Sequence, residues 1–234
     1  LILFFTLSIN AQDYYLHVGK LFNSNEGKML DNMTIIVSGN KIKDIKKGYE
    51  FPENDNSVII DLKDSTVMPG FIDLHVHIES EYNPEKYLNE FTAEESEIAF
   101  SSLKFAKRTL MAGFTTVRDL GGSGVNISLR NAINKGEVIG PRIFTAGKAI
   151  GTTGGHADPT NGWKKSIAGD PGPQDGVING VDDARKAVRE RYKNGADVIK
   201  ITATGGVMSI AKNGQNPQFT VEEIKAICET ANDY

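Results

Sequence analysis

The chain has 234 residues, 39% of them apolar, with a formal charge of -4; that is enough to bury a substantial core and fits one large domain or one and a half. Without a basic surplus it lacks the electrostatic footprint of a DNA- or RNA-binding protein. Cys228 is its single cysteine, which excludes a disulfide-stapled secreted scaffold and reads as a helix core residue.

Residues 1–9 are apolar apart from Thr6 and Ser8 and precede Asn10-Ala11-Gln12-Asp13. They read as the hydrophobic core of a signal peptide cut after Ala11, so that residues 1–11 are its remnant. The expected location is then outside the inner membrane, periplasmic or secreted; a first strand of a small sheet is the alternative. No later segment approaches the length of a membrane span. Residues 12–67 alternate short apolar runs (14–21, 33–38, 41–45 and 57–60) with turns, and Ser38-Gly39-Asn40 is a hairpin link. This all-β piece is expected to be part of a small β-sandwich domain.

Pro69-Gly70 punctuates the chain, and over 68–234 strands and helices alternate. A strand at 71–74 is followed by a helix over 93–111, opened by a Thr92–Glu95 capping box. A strand at 115–119, a helix at 126–135 and a strand at 142–146 come next. A long loop over 147–180, rich in glycine and holding Pro159, Pro171 and Pro173, is of the kind kept for function. A helix at 181–194, a strand around Lys200 and a helix capped by Thr220 and Glu223 complete the pattern. Four strand–helix units make the expected fold class α/β: the N-terminal half of a (β/α)8 TIM-type barrel preceded by part of a small β-sandwich. A four-stranded doubly wound sheet fits the same periodicity.

The most informative residues are His75 and His77, at i and i+2 on the end of an apolar strand, where both imidazoles share a face and can grip one metal ion. Catalytic zinc usually takes three protein ligands and keeps a position open for water, so a further ligand is expected elsewhere. Lys200 interrupts the apolar run Ala196-Asp-Val-Ile-Lys-Ile201. A bare buried ammonium there would be costly, whereas addition of carbon dioxide would make a carbamate able to bridge two metals. The plain alternatives are polar residues at a strand mouth for the histidines and a pair with Asp73 or Asp119 for Lys200. His156, in the glycine-rich loop, is a candidate to hold a substrate carboxylate or carbonyl oxygen, or else is an exposed loop residue. Arg118 and Asp119 read as a pair that orients ligands or as a simple salt bridge. Gly121-Gly-Ser-Gly124 lacks the lysine and spacing of a phosphate loop and reads as a tight turn. Trp163 and Tyr82 are weaker candidates for a substrate pocket.

Pro69-Gly-Phe-Ile-Asp-Leu-His75-Val-His77, Gly113-Phe-Thr-Thr-Val-Arg118-Asp119, Gly154-Gly-His156-Ala-Asp158 and Ala196-Asp-Val-Ile-Lys200-Ile together resemble the metal-dependent amidohydrolase superfamily. Within it they look like the imidazolonepropionase-related branch that includes Xaa-Pro dipeptidases, and the resemblance is to the N-terminal half only. It implies a divalent metal site, one or two ions and most simply zinc, held by His75, His77 and a carbamylated Lys200. Lys200 and His156 would be the catalytic residues, with a metal-activated hydroxide attacking the amide carbon. The expected function is therefore metal-dependent hydrolysis of carbon–nitrogen bonds, of Xaa-Pro dipeptidase type, with this piece inactive alone. A cyclic-amide hydrolase of imidazolonepropionase type and a catalytically dead metabolite-binding barrel are the alternatives. Expected partners are a small peptide or cyclic amide and other copies of the chain, with neither nucleic acid nor membrane.

Overall fold

A computed structural model describes residues 12–53, 55–84, 86–206 and 213–234. The run read as a signal remnant, residues 1–11, lies outside the described residues. The chain divides into two compact units at the Pro69–Gly70 junction.

The first unit is a four-stranded sheet of β1 (Asp13–Asn23), β2 (Lys28–Ser38), β3 (Lys41–Lys47) and β4 (Val58–Val67) in the order β3-β2-β1-β4. β2 and β3 pair antiparallel across the two residues Gly39 and Asn40, with Ser38 opposite Lys41; Gly39 supplies the positive φ such a turn requires. β4 runs parallel to β1. Val18, Leu21, Met33 and Ile35 form the core of this unit.

The second unit begins with β5 (Phe71–Val76), followed by α1 (Lys86–Thr92), α2 (Glu95–Met111), β6 (Phe114–Asp119), α3 (Val125–Asn134) and β7 (Arg142–Thr145). Strands β5, β6 and β7 make a parallel sheet in that order. Ile78, Ala106, Val117, Leu129 and Ile143 pack α2 and α3 against one of its faces. The other face leaves Ile72, Leu74, Arg118 and Phe144 exposed. The long loop contains β8 (Gly151–Thr152), α4 (Lys165–Ala168) and β9 (Val177–Ile178), with β8 and β9 parallel. α5 (Val181–Asn194) and α6 (Val221–Asn232) follow and share a second core of Ile150, Ile178, Ala184, Ala187, Val188, Phe219, Ala226 and Ile227.

Several expectations are corrected. The sheets of the second unit stay separate, three strands and two, and among the described residues none closes into a barrel; the TIM-type half-barrel is not what forms. The Lys200 segment is not a strand: among the described residues it makes a single isolated bridge, between Ile201 and Ile150. The reason lies in its neighbour. Asp197 N–H and Val198 N–H both reach Thr145 O, at 2.8 and 3.4 Å, and Gly147 then turns with φ +63°, carrying the backbone away until Ile150 donates to Lys200 O at 2.8 Å. α2 starts at a capping box of Glu94 and Glu97 rather than Thr92, because Thr92 belongs to α1, where its hydroxyl donates to Leu88 O at 3.0 Å. Cys228 is exposed on α6 and not in its core.

Candidate functional site

His75 is the penultimate residue of β5, which ends at Val76, and His77 lies just beyond it. Val76, between them, packs against the sheet core, so the alternation of a strand sends both imidazoles to the exposed side. A bulge between Asp73 and Val76, against Val117 and Asp119 of β6, locally bends the strand at His75. The ring centroids stand 5.6 Å apart at 62°. His77 Nδ1 is 2.8 Å from Gly121 O, which fixes the Nδ1–H tautomer and leaves Nε2 with the free lone pair.

Lys200 and Arg118 complete the group. His75 is held below the ordinary imidazole range first by desolvation, then by the positive charges of Lys200, His77 and Arg118, with Asp73 acting in the opposite sense. Arg118 Nε donates to Leu74 O at 2.8 Å, and Lys200 forms no ion pair among the described residues. The Arg118–Asp119 pair expected from the sequence is not made: Arg118 is exposed while Asp119 is buried under the other face. His156 is exposed in the loop after β8. Its backbone N–H donates to Gln218 Oε1 at 2.9 Å, and its ring lies so close to Gly206 that a Cβ there would fall 2.2 Å from Cε1. No described contact joins it to His75, His77 or Lys200.

Beneath the histidines is a buried polar cluster the sequence reading missed. Glu79 accepts from Ser123 N–H at 2.6 Å and from Asn126 N–H at 2.7 Å, capping α3 from 44 or more residues away. Asn126 Nδ2 donates to Asp119 Oδ2 at 2.9 Å, whereas Asp119 Oδ1 and Asn126 Oδ1 have no hydrogen-bond partner among the described residues. Burial pushes the Asp119 carboxyl up to about 6, with the nearby Glu79 charge adding to the rise and the Asn126 bond opposing it. The one legible signal was Glu79, an acid two positions after His77 that faces a glycine run opening a helix.

A metal centre does not fit this donor set. Among the described residues no group of three or more His, Cys, Asp or Glu side chains is placed to hold a metal ion, two imidazoles fall short of the three ligands usual for a catalytic zinc, and the buried Asp119 carboxyl accepts from Asn126. The expected zinc or other divalent ion, the carbamylated Lys200 and the metal-activated hydroxide are corrected accordingly.

The profile of the amidohydrolase family matches residues 66–234. The chain is 31% identical over 222 residues to an ochratoxinase of Aspergillus niger, covering 88% of this chain and 45% of that protein. Among solved structures it resembles a Xaa-Pro dipeptidase with bound methionine in the active site, at 49% identity and a TM-score of 0.89, covering 95% of this chain and 55% of the other. It also resembles a prolidase complexed with N-methylphosphonate-L-proline, at 35% identity and a TM-score of 0.79, over 95% and 54%. The likeness is therefore not confined to an N-terminal half of this chain but runs along nearly all of it, and the chain spans about half the length of the relatives it matches. No helix among the described residues is long and apolar enough to cross a membrane.

Proposed function

The chain belongs to the amidohydrolase family, and from that membership we propose that it binds a small peptide- or amide-bearing metabolite at the His75–His77–Lys200 end of β5, without hydrolysing it through a metal centre. The observation that carries this reading is the convergence of nitrogen side chains there with no third metal-type ligand among the described residues. Lys200 offers an ammionium for a carboxylate. His75, whose pKa is lowered, stays neutral at pH 7 and His77 presents Nε2, so the two rings are suited to polar contact with an amide. The ligand class follows from the relatives: methionine in the active site of the Xaa-Pro dipeptidase and an L-proline phosphonate in the prolidase complex are both small and carry an amino-acid skeleton.

Titration calorimetry with methionine and with a Met-Pro dipeptide tests this. The expected result is saturable binding, weakened tenfold or more in Lys200→Met and in His77→Ala, with no amino-acid release when zinc is supplied. Failure of both ligands to bind, or zinc-stimulated release of free amino acids, would overturn it. A cyclic-amide hydrolase needs the same activated water and is not favoured by this donor set.

A further inference from the structure

A cleft of about 400 Å³ lies between the start of α3, the segment after β7 and the C-terminal part of α5, lined by residues that include Ser123, Ser128, Lys148, Gln174 and Arg191. It includes none of the residues of the His75–His77–Lys200 group. Arg191 is its unusual member. The side chain is only 2% exposed although it carries a guanidinium, and among the described residues no carboxylate pairs with it. Its Nε donates to Lys148 O at 2.7 Å and its Nη1 lies 3.4 Å from Gln174 O, while Nη2 has no hydrogen-bond partner among the described residues. Burial lowers its pKa, and Glu190 and Asp175 oppose that only from a distance. An arginine remains charged under such conditions, and a buried charge without a counter-charge is expensive to keep.

We propose that this cleft is a binding site for a small oxyanion, a phosphate or carboxylate group, whose counter-charge is Arg191. The half-buried Lys148 supplies a mobile ammonium at the same cleft, and Ser123 and Ser128 supply hydroxyl donors. Arg191 acts from beneath as a fixed positive field, its position set by the Lys148 carbonyl, so that the anion meets Lys148 and the hydroxyls directly. The start of α3 adds little, because Glu79 already occupies the N–H groups of Ser123 and Asn126. Glu95, also on the cleft wall, is exposed and solvated, and it disfavours extended polyanions more than a compact group.

The test is calorimetric titration of the whole chain with inorganic phosphate and, separately, with succinate. One saturable phosphate site per chain is expected, and succinate is titrated into Lys200→Met, which lacks the carboxylate-binding ammonium of the other site. Phosphate binding alone identifies a phosphoryl ligand; equal binding of succinate identifies a carboxylate. Lys148→Glu, at a half-buried position, weakens binding at least tenfold, and Arg191→Met does the same wherever its thermal melt shows it folded. His75→Ala leaves binding unchanged. The absence of a saturable site for both anions, equal affinity in wild type and Lys148→Glu, or loss of binding in His75→Ala would each overturn the proposal.

Discussion

Asp119 is where a single residue has the clearest consequence. Its carboxyl is fully buried and accepts from the Asn126 amide. With the folded pKa raised to about 6 and an unfolded value near 3.9, the folded state holds more protons between these limits. Stability contributed by this group is therefore present below about pH 4 and is lost as pH rises through about 6, staying level above. Asp119→Asn removes the ionisation at little change in shape. Relative to wild type, its stability rises between pH 4 and 6 by about 3 kcal/mol, at roughly 1.36 kcal/mol per pKa unit, a trend that urea melts at successive pH values would reveal. A flat difference would mean that the carboxyl is not buried as described. None of this could be read from the sequence: the Arg118-Asp119 dipeptide looks like an ion pair, but alternation along β6 sends the two side chains to opposite faces, one wet and one dry.

At the scale of elements, Glu79 shows how a distant residue fixes a helix. One carboxylate oxygen satisfies Asn126 N–H, among those that α3 leaves without intrahelical partners, and the other takes Ser123 N–H in the turn just before the helix; negative charge is favoured there by the helix dipole. Glu79→Ala should cost about 1–2 kcal/mol and loosen the turn that carries Gly121, hence the His77 tautomer; chemical denaturation gives the first effect and the NMR pattern of the His77 ring the second. Gly122 allows this arrangement, since a Cβ there would stand 2.5 Å from the Glu79 carboxyl carbon. Helices were the most legible elements, because their signals are local. α5 was predicted to its boundaries, and the Thr220–Glu223 box opens α6 as the sequence indicates. The Lys200 run was misread for the opposite reason. Its apolar, β-branched residues favour a strand, but a strand exists only if its neighbour stays extended, and the turn at Gly147 denies that.

For the second unit as a whole, one face of the β5–β6–β7 sheet is exposed. Ile72 and Leu74 on β5 and Phe144 on β7 are each more than half exposed, and the register places Ile72 beside Thr116 and Arg118 beside Phe144. Thr116 and Arg118 of β6 lie between these apolar residues, and exposed apolar side chains in such numbers bind hydrophobic dyes. The chain should enhance the fluorescence of anilinonaphthalene sulfonate in its native state, and Leu74→Lys with Phe144→Lys should reduce the signal by more than half without lowering the melting temperature. An equal signal in the double variant would place the apolar surface elsewhere.

What the sequence determined by itself was whatever rests on neighbours in the chain: the β-hairpin of β2 and β3, the capped helices, the alternation of β and α, the pairing of His75 and His77 on one side of a strand end, and the likeness to amidohydrolases written in short motifs. What the tertiary structure decided was whatever depends on residues meeting across long separations. Glu79 reaching α3, Asp119 buried under the other face from Arg118 and, among the described residues, Arg191 without a paired carboxylate and a donor set short of a metal centre all follow from packing. Burial and dielectric, which set the cost of each charge, are properties of the packed chain and not of the residues that compose it.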